Sequence, residues 1–223
     1  MDYNLQLASY KNPSTTTVDA TNNWWGTTDP EAIDAHIYDY NDNTQSAFAD
    51  WVPFLDGAGN PIPDGYILGL ITENTTWTMA GSPYTVVGRT IVSSMATLTI
   101  EPGVVVKFKA GRYLQINGAL DARGTAAEMI TFTSNSSMPA PGDWAGIKFT
   151  DSAYDPFCFV EYCDIQYAST GISLTSASPT ISNNSFSLVG TAIYCNSYSS
   201  PTISGNTIQN YGSYGIHLSL IHI

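Results

Sequence analysis

The chain has 223 residues, 19 acidic against 7 basic side chains, and a net charge of −12. That balance excludes nucleic acid and anionic membrane as partners, because phosphate contacts need Lys and Arg, and no apolar run approaches the about 18 residues of a spanning helix. Only 12% of the residues are charged, and the abundant Ser, Thr, Asn, Gly and Tyr make a composition typical of extracellular β proteins.

In chain order, Met1–Gln6 is neither basic nor apolar enough to be a signal peptide. Residues 1–55 form a first block. Within it Val18-Asp-Ala-Thr-Asn-Asn-Trp-Trp-Gly26 ends a strand at an asparagine turn, Ile33–Asp39 is a mixed segment, and Trp51-Val-Pro-Phe-Leu55 closes the unit. Residues 56–65 are dense in Gly, Asn, Pro and Asp and read as a linker. A second block runs from 66 to 218. Alternating inward and outward positions place Thr97–Ile100, Val104–Phe108 and Tyr113–Ile116 in one coil. Ala119–Ala122, Ile130–Thr133 and Gly146–Phe149 make the next, with Ser134–Asp143 inserted as a Pro-containing loop. Beyond this, Ser178-Pro-Thr-Ile-Ser-Asn-Asn-Ser-Phe recurs as Ser200-Pro-Thr-Ile-Ser-Gly-Asn-Thr-Ile, with an older copy at Val160–Ile165. Residues 218–223 resemble the translated end of a transposon adapter used in preparing sequencing libraries, and the expectation from that resemblance is a gene fragment from environmental DNA with the native chain continuing beyond about Leu218.

The repeat decides the architecture. A fixed period of about 20 to 25 residues, in units too short and too β-branched for helices, is the mark of a solenoid of strands. The Leu-x-x-Leu-x-Leu pattern of leucine-rich repeats is absent. A β-sandwich would not place Asn184 and Asn206 at equivalent positions, whereas a parallel β-helix stacks them about 4.8 Å apart, each satisfying backbone groups at a bend. The expected fold is therefore all-β, a right-handed parallel β-helix of about five coils preceded by the terminal coil of a neighbouring β-helix block.

The chain resembles the secreted right-handed parallel β-helix repeat proteins of bacteria and archaea. Asn22-Asn-Trp-Trp-Gly26 with Pro53-Phe-Leu55 looks like the closing coil of one such domain. Gly81–Val86, Leu98–Phe108, Gly118–Gly124, Ile130–Ser134 and Gly142–Ile147 look like the opening coils of another. The resemblance implies a fold and a secreted or cell-surface location. It leaves chemistry open, since these repeats occur in surface proteins, in polysaccharide-degrading enzymes and in domains of no known activity.

Candidate sites follow from the alternation. If Leu114/Ile116, Ile147/Phe149, Ile172/Leu174, Ile193/Cys195 and Ile216/Leu218 point inward, then Gln115, Lys148, Ser173, Tyr194 and His217 form an outward column about 19 Å long. Such a face suits a few sugar units of a polysaccharide; the plainer reading is the solvated side of a sheet. Glycoside hydrolysis needs two carboxylates about 5 to 10 Å apart, and Asp143, Asp151, Glu161 and Asp164 are the candidates, set against solvating roles for the same side chains. A lyase would need a base beside calcium-binding acids, and Lys148 is the only outward base near such acids. No resident cofactor is expected. Calcium has two loosely suitable clusters, Asp39/Asn41/Asp42 and Asp56/Asn60/Asp64, which turn chemistry explains equally well. The histidines His36, His217 and His222 are too scattered for zinc or copper. Trp24, Trp25, Trp77 and Trp144 read as packing residues. Cys158, Cys163 and Cys195 read as small buried hydrophobes, with a Cys163–Cys195 disulfide as the alternative. Uncapped end coils would offer unpaired strand edges for end-to-end self-association. The functional expectation is a secreted module that binds a polysaccharide along the outward face, or cleaves it as a glycoside hydrolase. The alternative is a non-catalytic structural or adhesin segment of a large surface protein.

Overall fold

The structure, a computed structural model, describes residues 5–7, 16–39, 43, 45–61, 65–196 and 198–219. In the N-terminal block the strands are β1 (Leu5–Gln6), β2 (Thr17–Asp19), β3 (Ile37–Tyr38) and β4 (Phe48–Asp50), with one five-residue helix, α1 (Pro30–Asp34). β1 pairs with β3 and β2 with β4, both in parallel. This block has its own core of Ile33, Ile37, Ala49, Trp51 and Phe54, which also receives Val87.

The remainder is a stack of coils. It opens with β5 (Tyr66–Ile71), β6 (Thr75–Trp77) and β7 (Tyr84–Val92). Five three-strand coils follow: β8 (Thr97–Ile100), β9 (Val105–Phe108) and β10 (Tyr113–Ile116); β11 (Ala119–Arg123), β12 (Ile130–Ser134) and β13 (Gly146–Phe149); β14 (Phe159–Glu161), β15 (Cys163–Gln166) and β16 (Thr170–Thr175); β17 (Thr180–Ser182), β18 (Ser185–Ser187) and β19 (Thr191–Asn196); β20 (Thr202–Ser204), β21 (Thr207–Gln209) and β22 (Tyr214–Leu218). The first wall is the six-stranded ladder β6-β8-β11-β14-β17-β20. The second and third walls belong to one sheet, because β7 pairs with β9 through Tyr84–Val86 and with β10 through Thr90–Val92.

The solenoid thus has about seven turns where five were expected. The difference lies in residues 66–92. There β7 runs for nine residues across two walls with Gly88 alone to divide it, so the three-run signature of a coil is weak in the sequence.

Alternation supplies the core as predicted. Ile100, Ala122, Val160 and Ile181 line the inside of the first wall, Val106, Phe132, Ile165 and Phe186 the second, and Leu114, Ile147, Ile172 and Ile193 the third; all are at most 1% exposed. Each of the Val, Leu, Ile and Phe side chains among them contributes about 1.5–3 kcal/mol when removed from water. Burial continues up the stack until β22, where Ile216 is 45% and Leu218 60% exposed.

Corners are turned by residues in the left-handed region. Tyr162, Asn183 and Gly205 (φ +49°, +56° and +65°) occupy the bend between first and second walls in successive coils. The asparagine ladder stands beside that bend, as expected from the repeat. Asn184 accepts the Cys163 N–H at 2.8 Å and donates to the Val160 carbonyl at 2.8 Å. Asn206 does the same one coil on, accepting the Asn184 N–H at 3.0 Å and donating to Ile181 O at 2.9 Å.

The cysteines are buried and all three thiols are free, so the alternative disulfide is not formed. Cys163 lies at the start of a second-wall strand and Cys195 inside the third wall one coil further on. Burial pushes the Cys158 thiol up to about 11, and it raises Cys163 and Cys195 as well. These are inert packing groups.

Candidate functional site

The parallel register aligns Gln115, Lys148, Ser173, Tyr194 and His217 directly across β10, β13, β16, β19 and β22. All five are partly exposed, and the residues on either side of each point into the core or toward it. At ~4.8 Å per strand the column extends ~19 Å. One step below Gln115 the position is Ile91, which is 5% exposed. The polar column therefore begins at Gln115.

Residues two positions away enrich this face. Tyr113 stands opposite Gly146, and the missing side chain there lets Lys148 reach diagonally. Its Nζ lies 3.9 Å from the Tyr113 ring centroid, and the Arg89 guanidinium carbon lies 5.5 Å from the same ring. Gly146 is needed for a second reason: at φ +107° an added Cβ would collide with the Thr170 carbonyl. Burial pushes the Lys148 ammonium below its ordinary pKa, and the Arg89 charge adds to the effect. At the far end Tyr214 stacks on His217 at 4.5 Å and Tyr194 meets the same ring edge-on at 4.9 Å. Gln115 is oriented by Asn117, whose Oδ1 accepts both the Gln115 amide at 3.0 Å and the Thr150 hydroxyl at 2.9 Å. The face thus carries a cation–aromatic cluster at one end and an aromatic cluster at the other. Alternation alone puts Tyr113 on the face of Gln115, whereas Arg89 and Tyr214 carry no local signal and only the three-dimensional contacts set them beside the column.

The four candidate acids do not gather on this face. Asp143 ties down the inserted loop, its Oδ2 accepting the Ser134 hydroxyl at 2.6 Å and the Ala140 N–H at 3.0 Å. It borders a cleft of about 250 Å³ together with Lys109 and Ser134. Asp151 is exposed beyond the other end of β13. That strand is ~13 Å long, which exceeds the ~10 Å reach of a hydrolytic pair. Glu161 ends β14 on the first wall and accepts the Ser182 hydroxyl at 3.0 Å. Asp164 lies round the corner on β15 and accepts the Gln166 amide at 2.6 Å.

Of the two oxygen-rich clusters, Asp39 accepts the buried Ala49 N–H at 2.8 Å, and Asn41 and Asp42 lie outside the described residues. Asp56 accepts the Ala58 and Asn60 N–H groups, each at 2.8 Å, and Asp64 lies outside the described residues, as does His222. Trp77 and Trp144 are packing residues as expected: Trp144 is fully buried, stacks 4.0 Å from Phe108 and donates Nε1–H to Gln166 O at 2.8 Å. Trp24 departs from that expectation, being 46% exposed.

Comparison with known proteins agrees with the fold. A pectate-lyase-like β-helix domain family matches residues 69–155, and a right-handed β-helix region family matches 120–221. The "Protein bark beetle" of Drosophila melanogaster is 26% identical over 149 residues, 60% of this chain, which spans 5% of that protein's length. No solved structure matches significantly. The chain is a right-handed parallel β-helix repeat protein. Its domains are of a kind with a polysaccharide-related or structural role.

Proposed function

We propose that the outward face of the third wall binds an extended polysaccharide, and that this chain is a binding module of a secreted or cell-surface protein. One observation carries the reading: five polar or aromatic side chains stand in exact parallel register along ~19 Å of rigid sheet, flanked by Tyr113 and Tyr214. A regularly spaced ligand fits a regularly spaced support, and aromatic rings supply apolar area at low entropic cost. Asp143 and Asp151 stand farther apart than a hydrolytic pair, and Asp143, Glu161 and Asp164 are each engaged in local hydrogen bonds, which favours binding over hydrolysis. Affinity electrophoresis on a panel of soluble glycans, with reducing-sugar and unsaturated-product assays on the same panel, tests this. Retention on at least one glycan, weakened about tenfold by combined Tyr113→Ala and Tyr194→Ala substitution, is the expected outcome. No retention on any glycan, or retention unaffected by the pair, overturns it.

A second reading, a structural segment of a long surface protein, is favoured by the bark beetle match, in which these coils correspond to 5% of a far longer chain. Under that reading the panel shows no retention.

A further inference from the structure

A separate cleft lies in the N-terminal block. It has a volume of about 580 Å³ and is lined by Leu5, Val18, Asp19, Asn23, Trp24 and Trp25, among others. Ligand sites of small molecules are clefts of about 300–1,000 Å³ in which a few placed polar groups fix the ligand beside apolar and aromatic surface; this one falls in that range and is an open cleft whose walls are shared between polar groups and the two indoles. Trp24 is its most accessible aromatic. The indole rests against the backbone of Gly57, where an added Cβ would stand 3.5 Å from Cζ2, yet it keeps 46% of its surface open. One part of the ring is thus supported while the rest is offered to solvent. The support is itself pinned, because Asp56 Oδ1 accepts the N–H groups of Ala58 and Asn60 and so fixes the turn that carries Gly57.

The polar groups complement the ring. Asp19 Oδ1 is engaged by the Thr21 N–H at 2.9 Å and the Thr21 hydroxyl at 2.7 Å, which leaves Oδ2 as an acceptor. Asn23 donates its amide to the carbonyls of Ala20 at 2.8 Å and Thr21 at 3.2 Å, which leaves its Oδ1 as a second acceptor. The Trp25 N–H is covered and has no acceptor among the described residues, so turning it into the cleft would break no hydrogen bond. The set is an aromatic face, two acceptors set by local turns and one uncommitted donor.

We infer that this cleft is a binding site for a neutral sugar of one or two pyranose units, with Trp24 as the stacking platform and Asp19 and Asn23 as acceptors for its hydroxyls. A pyranose offers an apolar C–H face to an indole and several O–H donors at its rim, which is the complement of what the cleft presents. An acidic sugar would meet the Asp19 carboxylate and is disfavoured. The site is distinct from the sheet face and does not depend on its binding a glycan.

Isothermal titration of the full chain with cellobiose, maltose and chitobiose, and with choline as a cationic control, tests the inference. At least one disaccharide is expected to bind. Trp24→Ala should weaken it about tenfold and Asp19→Asn several-fold, while Trp24→Phe retains most of the affinity, and the Trp24→Ala and Asp19→Asn losses should be the same in a Tyr113→Ala, Tyr194→Ala background. Far-UV circular dichroism identifies variants that fail to fold; if Trp24→Ala is among them, the Asp19→Asn and Trp24→Phe titrations decide. Absence of binding by all three disaccharides, preference for choline, or full affinity in the folded Trp24→Ala and Asp19→Asn proteins overturns it.

Discussion

Asn184 is 2% exposed, and its side chain bridges two coils: it accepts from Cys163 in one and shares Asn206 Oδ1 with its own backbone in the next. Truncation would leave the Cys163 N–H and the Val160 carbonyl buried without partners. Each orphaned group costs about 1–3 kcal/mol, so Asn184→Ala is expected to lower stability by ~2–4 kcal/mol, read as a reduced urea midpoint. Asn184→Asp keeps the acceptor but sets a buried carboxylate oxygen against the Val160 and Asn206 oxygens, so at neutral pH it should cost at least as much as the alanine. This position was legible in the sequence because the repeat places Asn184 and Asn206 in register, and an amide is the side chain that can both accept from and donate to the main chain at such a bend. Trp24 and Trp144 show where that legibility ends. Both sit in Gly-rich motifs, yet one lies on a turn backbone and the other inside a wall, and only the three-dimensional register separates them.

At the scale of elements, β2 and β4 illustrate how parallel pairing creates chemistry that neither strand has alone. Their register sets Asp19 directly opposite Asp50. The Thr21 backbone and hydroxyl hold Asp19 below the usual carboxylate range, whereas burial raises Asp50, with a smaller contribution from the Asp19 charge. A raised folded-state pKa means that the contribution of Asp50 to stability is present below the ordinary Asp range and is lost as pH rises through the raised value. At neutral pH an ionised, half-buried carboxylate is therefore a cost. Asp50→Asn should raise the urea midpoint at pH ~7 and leave it unchanged near pH ~3, where the group is protonated in both states. An equal shift at both pH values would show that the effect is packing and not charge. The same logic explains what the sequence concealed on the third wall. Tyr113 reaches Lys148 only because Gly146 intervenes in the ladder, and a pairing partner 33 residues away has no local signal. β7 was hidden for a different reason, since a nine-residue run serving two walls is punctuated by the single Gly88 and buries neighbouring residues instead of alternate ones.

The whole molecule is a stack whose energetics are those of a one-dimensional array: each coil is stabilised by its neighbours and an end coil by one neighbour alone. The N-terminal end of the stack meets the N-terminal block through Val87 and the 2.6 Å ion pair between Arg112 and Asp34 of α1. At the other end, among the described residues, β20, β21 and β22 each pair on one side within their sheets, and Tyr214, Ile216 and Leu218 of β22 are about half exposed. Unpaired edges next to exposed apolar side chains are templates for another strand. We therefore expect this chain to associate through its last coil in a concentration-dependent way, two copies meeting end to end. Sedimentation velocity over a hundredfold range of concentration should show the shift to a larger species. Replacing Ile216 and Leu218 with Lys places like charges where the two ends would meet, and should return the protein to a single monomeric boundary without changing its circular dichroism spectrum. A wild-type chain that stays monomeric throughout would mean that the single-sided pairing of the last coil is tolerated in water, and that the twist and solvation of β22 are enough to protect its edge.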